Sequence, residues 1–243
     1  MPDLSPGIDL ASASVKLGGR IVLDALTLRL TEPRIGILGR NGSGKTTVLR
    51  LIAGLVAPET GTVRVDGFDP FVDRKAAISA IGILFQNPDH QILFPTVEEE
   101  LAFGLTQQGL PPSEALARAQ AVLTAEGRTD WAKAPVSTLS QGQRHYLCLL
   151  AVLMMQPRTI LLDEPLAGLD VPTQARLARR FAALSQRLIT ITHDPAMLST
   201  ADRVLWLESG RIVADGPPAE VLPAFSAEMA RIGARDADAD LVG

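Results

Sequence analysis

The run Gly39-Arg40-Asn41-Gly42-Ser43-Gly44-Lys45-Thr46-Thr47 constrains this chain more than any other stretch. Gly39 and Gly44 are separated by four residues, and Lys45 and Thr46 follow at once, the spacing of a phosphate loop. An apolar strand, Arg34 to Leu38, stands before it, and Val48 to Leu55 continues as a helix that Gly54 and Pro58 stop. The physics requires that order. Glycines let consecutive backbone N–H groups curl around phosphate oxygens, and the N-terminus of the following helix adds its positive end. Lys45 is then placed to reach β- and γ-phosphates, and the Thr46 hydroxyl to hold Mg²⁺. A plain glycine-rich turn with a solvated lysine would need neither flanking element.

Strand-like and helix-like segments alternate along the chain, which predicts an α/β architecture. Ile21 to Leu30, Ile81 to Phe85, Thr159 to Asp163, Leu188 to Thr192 and Val204 to Leu207 are rich in branched apolar residues and predict strands. Gly61 to Phe68 alternates around Val63 and Val65, which predicts an exposed antiparallel strand ending in the Asp66-Gly67 turn. From Asn87 to about Pro135 the texture shifts to Ala, Leu, Glu and Gln, with a helix start at Pro111-Pro112-Ser113-Glu114 and helical spacing over Ala115 to Glu126. The expected organisation is an α/β core over residues 1–86 and 156–225, carrying an antiparallel β subdomain. A helical subdomain, 87–155, is inserted, and 226–243 forms a short acidic tail, with Ala234 to Asp240 expected to fray.

Two further segments carry chemistry. Ile160-Leu161-Leu162-Asp163-Glu164 buries a strand whose C-terminal end delivers carboxylates. Asp163 is suited to support Mg²⁺, and Glu164 to polarise an attacking water as a general base. Leu139-Ser140-Gln141-Gly142-Gln143 opens a long helix from Arg144 to Met155, with Ser140 at the N-cap position and free N–H groups beyond it. Two phosphate-grasping helix termini in one chain are redundant unless two chains share each nucleotide. His193 follows the strand Leu188 to Thr192, so its ring is expected at the sheet's C-terminal edge. His90 and His145 stand alone, without metal-ligand spacing.

Composition excludes several classes. With 23 Lys plus Arg against 27 Asp plus Glu and a net charge of −4, the chain lacks the basic face a nucleic-acid binder needs. At 47% hydrophobic it is oily. Yet the longest uncharged apolar run, Tyr146 to Met155, is ten residues, about half of the ~20 needed to span a bilayer. The opening Met-Pro-Asp shows no signal peptide, and a single cysteine, Cys148, fits a reducing cytoplasm.

Taken in order and spacing, these segments resemble the nucleotide-binding subunit of ATP-binding-cassette (ABC) transporters over nearly the whole chain. Gly39 to Thr47 matches Walker A, Gln86 the glutamine of the Q-loop, and Leu139 to Gln143 the signature. Ile160 to Glu164 matches Walker B, Asp170 in Ala-Gly-Leu-Asp the D-loop, and His193 the switch histidine. The resemblance implies a P-loop NTPase core of the ABC ATPase type, ATP and Mg²⁺ as ligands, and ATP hydrolysis. It assigns Glu164, His193 and Gln86 to catalysis, and Thr46, Gln86 and Asp163 to Mg²⁺. It further implies that two copies close head-to-tail, so that Ser140, Gly142, Gln143 and Asp170 complete the partner's site. His193 is expected to bond the γ-phosphate or the attacking water. Gln141 departs from the family's usual Leu-Ser-Gly-Gly-Gln; its side chain would contact nucleotide or partner, or slow closure.

The segment Phe85-Gln-Asn-Pro-Asp-His-Gln-Ile-Leu-Phe-Pro-Thr-Val-Glu-Glu-Glu-Leu-Ala-Phe-Gly104 resembles the Q-loop and following helix of energy-coupling-factor importers. Their systems import cobalt or nickel ions, biotin and other vitamins; cobalt or nickel is the reading favoured here over biotin. Ile92, Leu93 and Phe94 either seat a coupling helix of an integral-membrane subunit or pack the helical insertion itself. A peripheral ATPase on the cytoplasmic face of the membrane follows, with a homodimer favoured and the transported substrate not contacted. Cassette ATPases commonly stack adenine on an aromatic residue upstream of Walker A, yet no Phe, Tyr or Trp precedes Phe68. Val15 and Leu17 are therefore the expected aliphatic contacts to the base, with the Lys16 stem a further candidate.

Overall fold

The computed structural model describes residues 7–234. Two strands open the chain, β1 (Ile8–Leu17) and β2 (Arg20–Leu30), and β3 (Arg34–Leu38) leads into helix α1 (Lys45–Ile52). There follow β4 (Thr60–Val65), α2 (Arg74–Ala80) and β5 (Ile81–Leu84), then the helices α3 (Val97–Gln107), α4 (Pro112–Ala125) and α5 (Gln141–Met154). The chain returns through β6 (Thr159–Asp163), α6 (Val171–Ala182), β7 (Arg187–Ile191), β8 (Arg203–Glu208), β9 (Arg211–Gly216) and α7 (Pro218–Gly233).

The strands form two sheets. A six-stranded sheet runs β5-β6-β7-β3-β8-β9, parallel from β5 to β8 with β9 antiparallel at its edge. A three-stranded antiparallel sheet, β2-β1-β4, packs across α1. This is the mixed α/β architecture, with an antiparallel β subdomain and an inserted helical layer, expected from the sequence. Alternation puts Ile8, Leu10, Leu28 and Leu30 on the inner face of the small sheet, against Val48, Leu51 and Ile52 of α1 and Ile189 and Ile191 of the large sheet. Burying these side chains, at about 1.5–3 kcal/mol each, is what joins the two layers.

Helices α3, α4 and α5 gather Val97, Leu101, Ala115, Leu123, Leu147 and Leu150 into a cluster of their own. Helix α5 belongs to two clusters at once, because Cys148, Leu149 and Val152 on its other side meet Ile160, Leu162 and Leu177 under the large sheet. That double burial explains the ten-residue apolar run: both sides of the helix meet protein, and no described helix is long and apolar enough to cross a membrane.

Four elements lie where the sequence predicted none by name. In β1 the left-handed Ser12, at φ 48°, breaks both ladders, so alternation runs Ile8, Leu10, then Ala13 and Val15. Helix α2 is started by Asp73, whose side chain accepts from the Ala76 N–H, and α6 by Asp170. Strand β9 turns back from β8 at Ser209-Gly210. Helix α7 also departs from expectation. It runs on through residues 226–233, placed in a tail by sequence, because Val221, Phe225 and Met229 pack onto Leu38, Val204 and Trp206. The acidic residues Asp236 to Asp240, expected to fray, lie outside the described residues.

Candidate active site

Strand β3 ends at Leu38, and the loop that follows is shaped by close contact with β8. A Cβ on Gly39 would lie 2.1 Å from the Leu207 carbonyl oxygen, a separation only glycine permits. Gly44 caps α1 at φ 105°, in the left-handed region, where a side chain would be strained. The β8–β9 turn adds a tie: the Gly210 N–H donates to the Ser43 carbonyl at 3.0 Å. Lys45 folds across the loop, its ammonium donating to the Gly39 carbonyl at 2.7 Å and the Arg40 carbonyl at 2.9 Å. Burial pulls the Lys45 ammonium below its usual range, while the carboxylates of Glu164, Asp163 and Glu208 push it back up.

At the end of β6 the Thr46 hydroxyl donates to Asp163, 3.2 Å from Oδ2 and 3.4 Å from Oδ1. Burial pushes the Asp163 carboxyl upward, and the Thr46 bond opposes that shift. A hydroxyl and a carboxylate at this spacing suit Mg²⁺, which takes hard oxygen ligands and keeps several waters or phosphate oxygens. No group of three or more His, Cys, Asp or Glu side chains able to hold a metal exists among the described residues. Glu164 leaves the strand at φ 47°, a left-handed conformation that costs a non-glycine residue about 1–3 kcal/mol. Its N–H donates to the Ile191 carbonyl at 2.9 Å, which holds the turn against β7.

Across that turn His193 Nδ1 lies 2.9 Å from Glu164 Oε1; the imidazole is 68% exposed and the carboxylate 13%. A carboxylate only accepts, so a proton is assigned to Nδ1. The pair therefore sits at one carboxylate oxygen, leaving the other oxygen for water.

These residues share a cavity of about 760 Å³, whose polar wall includes Gly39, Lys45, Thr46, Gln86, Glu164 and His193. Arg40, Asn41, Gly42, Gly44, Thr47 and Asp163 complete that wall. Of the expected contacts Val15 is corrected here, and Ser43 and Leu17 are placed outside the cavity wall. Ser43 is buried beneath the loop, where Gly210 and Gly39 press on it, and does not line the cavity. Val15, offered as a contact for the base, is fully buried opposite Leu23 in the core, because the inward-facing strand register leaves it no free surface. Leu17 is 41% exposed but lies outside the cavity, and Val22 lines it instead. Phe225 and Met229 of α7 form part of the wall as well; their separation of four residues was the one sequence signal for a shared helix face.

Ser140, Gly142, Gln143 and Asp170 do not line this cavity. Ser140 and Gln143 form a reciprocal capping box at the start of α5: Ser140 Oγ accepts from the Gln143 N–H, and Gln143 Oε1 accepts from the Ser140 N–H at 2.7 Å. That leaves the N–H groups of Gln141 and Gly142 without intrahelical partners, as in any first turn. Asp170 caps α6 by accepting from the Thr173 N–H at 2.8 Å, a bond that holds its carboxyl below the usual range. Gln141 reaches the D-loop of its own chain, its Nε2 standing 3.4 Å from where a Cβ on Gly168 would be.

The chain is similar to known proteins over most of its length. The family model described as ABC transporter matches residues 23–167. The biotin transport ATP-binding protein BioM of Rhodobacter capsulatus is 55% identical over 93% of this chain and 98% of its own length. The cobalt import ATP-binding protein CbiO of Syntrophus aciditrophicus is 36% identical, over 84% of this chain and 75% of its own. Among solved structures, cbiO1 from Clostridium perfringens, described as part of the ABC transporter complex cbiONQ, superposes with a TM-score of 0.76. It is 27% identical, with 94% of each chain covered.

Proposed function

This chain belongs to the ABC transporter family as an ATPase of the energy-coupling-factor type, and from that premise we propose that the uptake it powers is that of biotin. The observation that carries this reading is the 55% identity to R. capsulatus BioM over 98% of that protein, against 36% over 75% of CbiO. The cobalt or nickel import expected from sequence has the weaker support. In cells lacking their own biotin import, expression of this chain with its membrane partners should raise accumulation of labelled biotin several-fold. Accumulation of cobalt or nickel without biotin would overturn the assignment.

In this reading the Walker A N–H groups and Lys45 hold the β- and γ-phosphates, and Thr46 with Asp163 would hold Mg²⁺, which would supply charge neutralisation at the transferring phosphoryl group. Glu164 accepts a proton from the water that attacks the γ-phosphorus. The bond from that phosphorus to the bridging oxygen breaks, leaving ADP and phosphate. His193 orients the carboxylate through Nδ1–H, and Gln86, in the same cavity wall, would help hold the cation. The first turn of α5 offers its unpaired N–H groups to the nucleotide of a second copy, and Asp170 lies beside that seam. A homodimer, closed head-to-tail, is the assembly proposed.

Docking to integral-membrane subunits on the cytoplasmic face is supported by a cavity of about 540 Å³ next to the Q-loop, lined by Asp89, Ile92, Phe94 and Arg144. Leu93 is 68% exposed, while Ile92 packs on the helical cluster, an arrangement that suits the triplet to both expected roles. The protein should co-purify from detergent extract with such a subunit.

Base recognition rests on aliphatic surface from Val22, with no upstream aromatic to stack on, while Phe225 of the cavity wall is 5% exposed and packed edge-on against Trp206. Stacking is worth about 1–3 kcal/mol per base where measured for nucleic acids. Without it, GTP should be hydrolysed at a kcat/KM within about tenfold of that for ATP, about 1.4 kcal/mol. A hundredfold preference for ATP in parallel phosphate-release assays would show that another contact reads the base.

A further inference from the structure

His145 stands out among groups the chemistry above does not use. Its ring is fully buried, and each nitrogen faces a backbone oxygen: Nδ1 lies 3.3 Å from Gln141 O and Nε2 3.2 Å from Gln86 O. The first oxygen is one turn back in the signature helix. The second belongs to the Q-loop glutamine whose side chain lines the catalytic cavity. One imidazole thus spans the seam between the helix that opens with Ser140 and the loop that carries Gln86.

Burial works against the charged imidazolium and holds the ring below its usual range, so it carries one proton. Gln141 O already serves the helix's own i→i−4 ladder, whereas Gln86 lies beyond the end of β5 and outside any ladder. The proton therefore belongs on Nε2. A second tie crosses the same seam, where Arg144 Nε meets Asp89 Oδ1 at 3.0 Å. Arg144 also donates to Leu139 O at 2.7 Å, fixing the turn just before the cap. Asp89 and Arg144 are the charged groups that act on the ring from these two segments.

We propose that His145 is a positioning residue for ATP hydrolysis: by donating from Nε2–H to the Gln86 carbonyl, it locks the Q-loop to the signature helix so that the two move together. This rests on the placement of Gln86 in the catalytic machinery. A backbone carbonyl, unlike the Gln86 side chain, gives a grip that leaves the amide free to face water and cation. Nucleotide affinity is held by Walker A, which His145 does not touch, so the effect of losing it falls on turnover and not on binding.

The test uses the purified 243-residue chain. His145→Leu, which fills the space without a donor, should lower kcat about tenfold with KM for ATP changed less than twofold. His145→Gln, whose amide N–H reaches the same oxygen, should recover at least half of the lost activity. Wild-type kcat in His145→Leu, a parallel rise in KM, or no recovery in His145→Gln would overturn the proposal. If His145→Leu does not fold, ¹⁵N NMR of histidine-labelled wild type decides: a neutral Nε2–H ring supports it, and an Nδ1–H or charged ring at neutral pH refutes it. Gln86→Ala separates the two levels. Unchanged turnover there removes the Q-loop assignment and the proposal with it; impaired turnover beside a normal His145→Leu removes the coupling alone.

Discussion

Glu164→Gln is expected to cut steady-state phosphate release by about 10²–10⁴-fold, the contribution of a positioned general base. The substitution keeps the shape of a side chain that is 13% exposed and retains an oxygen to accept from His193 Nδ1 at 2.9 Å. It removes only the basicity. The turn at φ 47° and the Glu164 N–H to Ile191 carbonyl bond are backbone features that either residue supports equally. ATP binding should therefore persist, because Walker A, Lys45 and the Thr46–Asp163 pair are untouched. With the nucleotide bound but not cleaved, the closed dimer should accumulate, seen as a shift to twice the mass in size-exclusion chromatography with MgATP. Hydrolysis within threefold of wild type would place the proton acceptor elsewhere.

Gly39→Ala should have an effect of similar size by a different route. The added Cβ would meet the Leu207 carbonyl oxygen at 2.1 Å and Ser43 Oγ at 2.7 Å, and neither neighbour can retreat without disturbing β8 or the loop. Moving the loop carries away the Gly39 carbonyl to which Lys45 donates at 2.7 Å. The strain costs about 1–3 kcal/mol, which in a chain of this size lowers Tm by about 2–12 °C. ATP affinity should fall about 100-fold, equivalent to ~2.7 kcal/mol. Gly42→Ala is the control. Gly42 has φ 79° but nothing within 4 Å of a built Cβ, so it bears backbone strain without the collision and should keep most of the affinity. Equal ATP binding by Gly39→Ala and wild type, measured by calorimetry, would rule out the close contact with β8.

Local chemistry made much of this molecule legible from its residues. Gly39 to Thr47 between an apolar strand and a helix, Ile160 to Glu164, and the Ser140 cap each encode their conformation within a few residues, through glycine torsions, strand burial and N-cap geometry. The strands β2, β3, β5, β6, β7 and β8 were within a residue or two of their predicted bounds for the same reason. Long-range placement was not legible. Val15 seemed free to meet a base until the Ser12 irregularity set which residues of β1 face the core. Helix α7 ran past its expected end because Phe225 and Met229 had a wall to join, and their four-residue spacing gives a shared helix face without saying what that face meets.

The sequence by itself determined the class of chemistry: a phosphate-binding loop, a carboxylate pair at a strand end, a capped helix and a histidine after a strand, in the order of an ABC ATPase. Those features depend on backbone torsions and hydrogen-bond capacity that neighbouring residues set. Tertiary structure alone decided which side chains share the cavity, that β8 and its turn press Walker A into shape, and that His145 reaches Gln86, 59 positions away in the chain. Contacts of that kind arise where the packing of two sheets and a helical layer brings distant backbone together, and the sequence states only the residues that can meet there.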